Sequence, residues 1–215
     1  MALTVDKIEV GLLATNCYLV GDEVDRQAFI VDPGADADIL LDRIGAVGWQ
    51  LEAVVLTHAH FDHVLAAGEI VAELGVPLLA SAPEAVVLTH APEVAQRWLG
   101  IRVPPPPAPD RILSAGDSVA AGSHSFRVVD TPGHSPGGLT LIGDGIAFVG
   151  DTIFSGSVGR TDLPGGDFDR LMQSIRDEIL TLPDETVLYC GHGPDTTVGE
   201  ERRTNPFILD MGLRE

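Results

Sequence analysis

Thr57-His58-Ala59-His60-Phe61-Asp62-His63 places four metal-capable side chains within six consecutive residues. Imidazole nitrogens and carboxylate oxygens suit zinc, with iron and manganese as alternatives. The stretch follows an apolar run, Leu51 to Leu56, and precedes a helical pattern. It therefore falls at the carboxyl end of a strand, where α/β folds place ligand sites. Three further candidates share this setting: His134 in Thr131-Pro132-Gly133-His134-Ser135, Asp151 after Phe148-Val149-Gly150, and His192 in Cys190-Gly191-His192-Gly193. Alone, each reads as a surface histidine or a turn-forming aspartate. Together, each follows an apolar strand and has Gly or Pro beside it, which lets backbones approach closely. His90 and His124 lie outside this pattern and read as surface residues. Two cations roughly 3.5–4 Å apart can share a hydroxide at neutral pH, because metal binding lowers the pKa of water to about 7. That hydroxide would attack an electrophilic carbon while the metals stabilise the developing oxyanion.

Such residues must be carried by elements that end at one place. Short strands are expected at Leu3 to Val10, Asn16 to Gly21, Ala28 to Asp32, Leu51 to Leu56 and Val76 to Ala80, from their Val, Ile, Leu and aromatic content between turn residues. More follow at Asp117 to Ala120, Ser125 to Asp130, Leu139 to Ile142, Ala147 to Val149 and Thr186 to Cys190. Helices are expected from an Asp36 N-cap to about Ala46, from Val64 to about Leu74, from Pro83 to Leu99 with a break near Pro92, and from Phe168 to Leu180. Pro104 to Pro107, with Pro109, reads as a stiff surface connector, and Phe154 to Asp167 as a Gly-rich loop. Strands and helices in mixed order, with long runs of strands, suit an α/β protein of two face-to-face sheets covered by helices.

The chain has 215 residues, a net charge of −19 and 45% hydrophobic residues, which fits one domain over 1–215 with a sizeable core. Lys7 is the only lysine. So acidic a surface repels nucleic acid and anionic membranes, and neither is expected as a partner. Cys17 and Cys190 sit in apolar stretches and read as buried reduced thiols. No signal peptide and no stretch of roughly 18 apolar residues is visible, so a soluble, cytoplasmic protein is expected.

HxHxDH, followed by His, Asp and His after successive strands, resembles the metallo-β-lactamase fold superfamily over nearly the whole chain. The resemblance implies an αβ/βα sandwich with metals at one edge of the two sheets. It also implies that His58, His60 and His134 hold one metal and that Asp62, His63 and His192 hold the second, with Asp151 bridging both.

Ligand identity narrows the branches. His at position 60 rather than Glu argues against the di-iron flavoproteins, and Asp rather than Cys at 151 against the common zinc β-lactamases. The acidic surface argues against RNA processing. Gly159-Arg160-Thr161-Asp162 resembles both short glyoxalase II-like proteins and persulfide dioxygenases, and its continuation, Leu163-Pro164-Gly165-Gly166-Asp167, looks more like the former. Arg160 could grip a substrate carboxylate or pair with a nearby Asp and pin the loop. Longer glyoxalase II enzymes add a C-terminal helical domain and lysines on the substrate carboxylate, whereas this chain stops soon after His192 and its lysine is distant. The segment around Pro104 to Pro109 and the helix before it are then expected to wall the pocket. The expected function is a dinuclear hydrolase of small-molecule thioesters such as S-2-hydroxyacylglutathione, with Asp62 orienting the hydroxide. The alternatives are an iron-dependent persulfide dioxygenase using His58, His134 and Asp151, a lactonase-like hydrolase, and a metal-binding protein without turnover.

Overall fold

The computed structural model describes residues 2–210, so Met1 and 211–215 of the expected 1–215 domain lie outside the described residues. The first half of the chain supplies one sheet. Strands β1 (Leu3–Val10), β2 (Thr15–Asp22), β3 (Gln27–Val31), β4 (Gln50–Val55), β5 (Leu78–Ser81) and β6 (Arg111–Leu113) lie in sequential order. The first three are antiparallel, and β3 to β6 run parallel. Parallel neighbours need crossovers, which are supplied by α1 (Ala37–Val47), α2 (Ala67–Leu74) and α3 (Ala82–Leu99). The second sheet holds β7 (Ser118–Ala121), β8 (His124–Asp130), β9 (Leu139–Gly143), β10 (Ile146–Gly150), β13 (Val187–Cys190) and β14 (Thr196–Thr197) in the order β14-β13-β10-β9-β8-β7. A small hairpin, β11 (Ile153–Phe154) and β12 (Ser157–Val158), stands apart. Helices α4 (Phe168–Ser174), α5 (Val198–Thr204) and α6 (Pro206–Asp210) complete the chain.

The layers follow from strand alternation. All of β2 is buried, and its side chains divide by parity. Cys17 and Leu19 face α1, α2 and α3, whereas Tyr18 and Val20 face the second sheet. β3 repeats this with Ala28 and Ile30 outward, and Phe29 and Val31 inward. Phe29, Phe126 and Phe148 meet between the sheets, with Phe29 5.4 Å from Phe126 and 6.3 Å from Phe148. On the far face, Ala147 and Val149 pack beneath Leu171 and Ile175. The result is the expected αβ/βα sandwich of two mixed sheets. Cys17 and Cys190 are free, buried thiols as expected, and burial pushes the Cys190 pKa up to about 12.

Several expectations are corrected. α3 runs unbroken through Pro92, because one missing N–H removes only one rung from a long helix. Asp36 does not cap α1 with its side chain: its backbone is left-handed and its carboxylate instead accepts the Gly11 N–H at 2.8 Å. The helix expected from Val64 begins at Ala67, after a 3-10 turn over Phe61–His63. The helix from Phe168 is α only to Ser174 and continues as a π-helical stretch, Ile175–Ile179. Strand β6, the β11–β12 hairpin and the elements beyond β13 span only two to seven residues each, too short for a periodic pattern to be read from sequence. Residues 104–109 form an irregular, half-exposed to exposed connector, as expected. Among the described residues no helix is long and apolar enough to cross a membrane.

Candidate metal centre

Five strand ends deliver the site. β4 leads into His58, His60, Asp62 and His63, β8 into His134, β10 into Asp151 and β13 into His192. The fifth, β3, leads into Asp32. β3 and β4 are parallel, as are β10 and β13, and β8 shares the direction of β10 through antiparallel β9. Cross-sheet hydrogen bonds fix the two edges together: Leu139 N–H donates to Thr57 O at 2.8 Å, and Asn16 N–H to Gly191 O at 2.7 Å. Gly191 is there for space, since a Cβ on it would lie 2.1 Å from Asp151 Oδ1 and 2.8 Å from His63 Cε1.

All seven expected residues come together. His58, His60 and His134 form one set and Asp62, His63 and His192 another, each offering atoms within 4.8 Å of one another. Asp151 lies between the sets, with Oδ2 3.5 Å from His134 Nε2 and 3.6 Å from His192 Nε2, and Oδ1 3.4 Å from His63 Nε2. Four imidazoles turn Nε2 inward because Nδ1 is engaged behind them. His134 Nδ1 faces Arg160 O at 2.8 Å and His192 Nδ1 faces Leu13 O at 3.1 Å. His63 Nδ1 faces Asp32 Oδ2 at 3.0 Å, and His58 Nδ1 faces Thr57 Oγ1 at 3.1 Å. Partners of this kind fix ring orientation and tautomer at metal-binding histidines.

The cluster also fits cations by what it leaves unbonded. His58 Nε2 and Asp151 Oδ1 are buried without a hydrogen-bond partner. Nitrogens crowd one another, His60 Nδ1 against His134 Nε2 at 2.8 Å and His63 Nε2 against His192 Nε2 at 3.3 Å. Such isolation is costly for polar atoms unless something charged or protic joins them. Burial lowers the His58 pKa, and the neighbouring histidines lower it further. Burial and then His134 lower His60 to about 4. For His63 burial works downward, but Asp151 and Asp62 outweigh it and hold its pKa well above the usual value. Burial raises Asp62, but His63 and His192 outweigh that and leave it below the usual carboxylate range. His58 and His60, kept neutral, and the ionised Asp62 are donors ready for divalent metal, whereas His63 would give up a proton as a metal binds.

Two residues that sequence reasoning did not place in the site hold it in shape. Asp32 is buried, accepts Thr57 N–H at 2.7 Å and Thr57 Oγ1–H at 2.5 Å, and orients His63. Its signal was present: Asp32-Pro33-Gly34 closes an apolar strand beside Pro and Gly, as the other candidates do. Glu84 is fully buried and accepts Ala59 N–H and Gly137 N–H, both at 2.7 Å. Ser81-Ala82-Pro83-Glu84 has the form of a helix-capping box. Ser81 does accept Glu84 N–H, but the Glu84 carboxylate leaves its helix and reaches the loops of His58 and His134.

Arg160 takes the pairing alternative, with Nε and Nη2 on the Asp162 carboxylate at 2.7 and 2.8 Å, while its carbonyl orients His134. His90 is exposed, as expected, on α3. His124 is not a free surface residue. It is mostly buried, with Nδ1 2.7 Å from Asp144 and Nε2 3.7 Å from Asp22. A cavity of about 1020 Å³ opens over His60, Asp62, His134, Asp151 and His192. Its far wall is α3, as expected, and the Pro104 to Pro109 connector contributes no residue to it.

A family model described as the metallo-beta-lactamase superfamily matches residues 10–192. A Haemophilus influenzae protein named hydroxyacylglutathione hydrolase GloC is 37% identical over 210 residues, covering 96% of this chain and 98% of its own. The crystal structure of BLEG-1, named a B3 metallo-beta-lactamase, superposes with a TM-score of 0.89 at 36% identity, over 95% of this chain and 99% of that one. TTHA1623, solved in a di-iron-bound form, gives a TM-score of 0.87 at 40% identity, over 94% of this chain and all of that one.

Proposed function

This chain belongs to the metallo-beta-lactamase superfamily of metal-dependent hydrolases, and from that premise we propose that it hydrolyses thioesters of small molecules at a dinuclear centre. His58, His60 and His134 would hold one divalent cation and Asp62, His63 and His192 the other, with Asp151 placed between the two sets to serve both. Zinc suits these donors, and the di-iron form of TTHA1623 makes iron the first alternative. A pair of such cations supplies, when bound, a water acidified to near neutrality and positive charge for a developing oxyanion.

The protein's own groups do the rest. Asp62 stays ionised and lines the cavity, so its carboxylate can orient the attacking water as well as bind metal. Thr15 Oγ1–H, 3.4 Å away, donates to Oδ2 of that carboxylate and helps hold it in place. Water oxygen forms the new C–O bond, the C–S bond breaks, and the products are a carboxylic acid and a thiol. A thiol is acidic enough to leave without a dedicated general acid. Arg160 borders the cavity, with its backbone fixing His134.

The observation that carries the thioester reading is the near full-length similarity to the hydroxyacylglutathione hydrolase. The test is release of free thiol from a thioester panel, at metal content measured on the same sample, with a penicillin and a lactone alongside. Thiol release with two metals per chain is the expected result. Oxygen uptake on a persulfide with one iron per chain would replace it with the dioxygenase reading.

A further inference from the structure

The cavity above the metal centre is oily where it leaves the histidines. Val86, Val94 and Trp98 of α3 face Phe154, Leu163 and Pro164 across it. Val86 and Trp98 remain 63% and 52% exposed, and Leu13, at the opposite lip, 39%. Apolar surface gathered at the mouth of a reactive cleft marks a binding site rather than chance exposure. Trp98 is held in place on two sides: Phe61, between two ligand residues, lies 6.1 Å from its ring centroid, and the Arg160 guanidinium 5.8 Å above it.

Beyond the metal centre, the two arginines that line the cleft are both engaged by carboxylates and leave no unpaired guanidinium for an anionic carrier. Arg97 is paired with Glu93 at 2.7 Å, and Arg160 with Asp162. Lys7 lies outside the cavity, paired with Asp195 at 2.8 Å. A chain of net charge −19 repels polyanionic thiols at long range. Selection must then come from contact with the uncharged part of the substrate.

Resting on the thioester reading above, the geometry points to substrates with a bulky, uncharged apolar acyl group, medium-chain or aryl, with Trp98 as the main specificity-determining residue. Water attacks the same carbonyl and releases the same acid and thiol; the added claim concerns only what fills the cleft. The test uses N-acetylcysteamine thioesters, whose thiol is small and neutral, so that the acyl group is the sole variable. Burying one methylene fully is worth about fourfold, so kcat/KM should rise at least about tenfold from acetyl to hexanoyl, with benzoyl also favoured. Trp98→Ala, at a half-exposed position, should reduce that ratio severalfold.

A second readout is independent of turnover. The hexyl thioether of N-acetylcysteamine cannot be hydrolysed and, by covering the half-exposed Trp98, should shift the tryptophan emission of the metal-loaded protein to shorter wavelength. The chain has two tryptophans and Trp49 is buried away from the cavity, so Trp98→Phe should abolish the response. A flat acyl series with good turnover overturns the inference and leaves the thioester reading standing. Thioether binding without any thioester turnover supports the apolar cleft and overturns the reaction. Absence of both overturns the two together.

Discussion

The carboxylate of Glu84 accepts the backbone N–H of Ala59 at 2.7 Å, so a residue from the first turn of α3 holds the peptide between His58 and His60. Its second oxygen takes Gly137 N–H, and Ser81 Oγ–H, at the N-cap, donates to Gly137 O at 2.7 Å. The helix that walls the cavity is thereby fastened to both loops of the first histidine set. Glu84→Gln keeps the shape but turns an NH2 toward one of the two amides. Loss of such a charged hydrogen bond costs about 1.5–3 kcal/mol, to be read from urea unfolding of the metal-free protein. Metal affinity at His58, His60 and His134 should fall about 10- to 100-fold, the usual effect of losing an orienting partner. Chelator competition measures it, and unchanged affinity would reduce Glu84 to a folding role.

Asp32 orients His63, a proposed ligand of the second cation. Asp32→Ala leaves His63 Nδ1 and Thr57 without their buried acceptor. The expected stoichiometry on elemental analysis falls from two metals toward one, with His58, His60 and His134 still loaded. Retention of two tightly held metals would refute the assignment.

Gly191→Ala places a methyl where Asp151 Oδ1 and the His63 ring already are. Because that neighbour is the shared carboxylate, both cations should weaken together, and the melting temperature in excess metal should drop toward that of the metal-free protein. A variant that still shows the full metal-dependent rise would show that β13 can move aside.

Removal of metal should leave the fold standing. Three apolar clusters pack the two sheets and their helices independently of the site. Far-UV circular dichroism is expected to survive chelation, while metal at a hundred times its Kd adds about 2.7 kcal/mol of stability. Unfolding on chelation would contradict this.

Asp22 gives a pH dependence away from the site. The Ser123 N–H at 3.1 Å is the largest influence holding its pKa below 3.8, joined by the Ser123 hydroxyl and the Val24 and Asp25 amides. A depressed folded pKa means stability present in full above the unfolded value and lost as pH falls beneath it. Asp22→Asn should therefore melt below wild type at pH 7, with the gap narrowing as pH drops under about 4. A gap that widens there would reverse the sign.

How much was legible in the sequence depended on range. His58, His60, Asp62 and His63 share one loop, and each remaining candidate carries its own strand and its own Gly or Pro, so each could be recognised locally. β2 and β3 could be read for the same reason, since a fully buried strand is apolar residue by residue. Asp32 and Glu84 were not placed in the site, and His124 was misjudged, because a carboxylate 25 residues from the amide it binds leaves no mark near that amide. The sequence by itself determined which side chains end strands and could bind metal, since that is a property of short segments. Only the tertiary structure decided that parallel strands from two sheets finish at one edge, that Glu84 and Asp32 stand behind the ligands, and that α3 lays Trp98 across the opening. Those relations arise from the stacking of one sheet on another, where contacts join residues the chain keeps far apart.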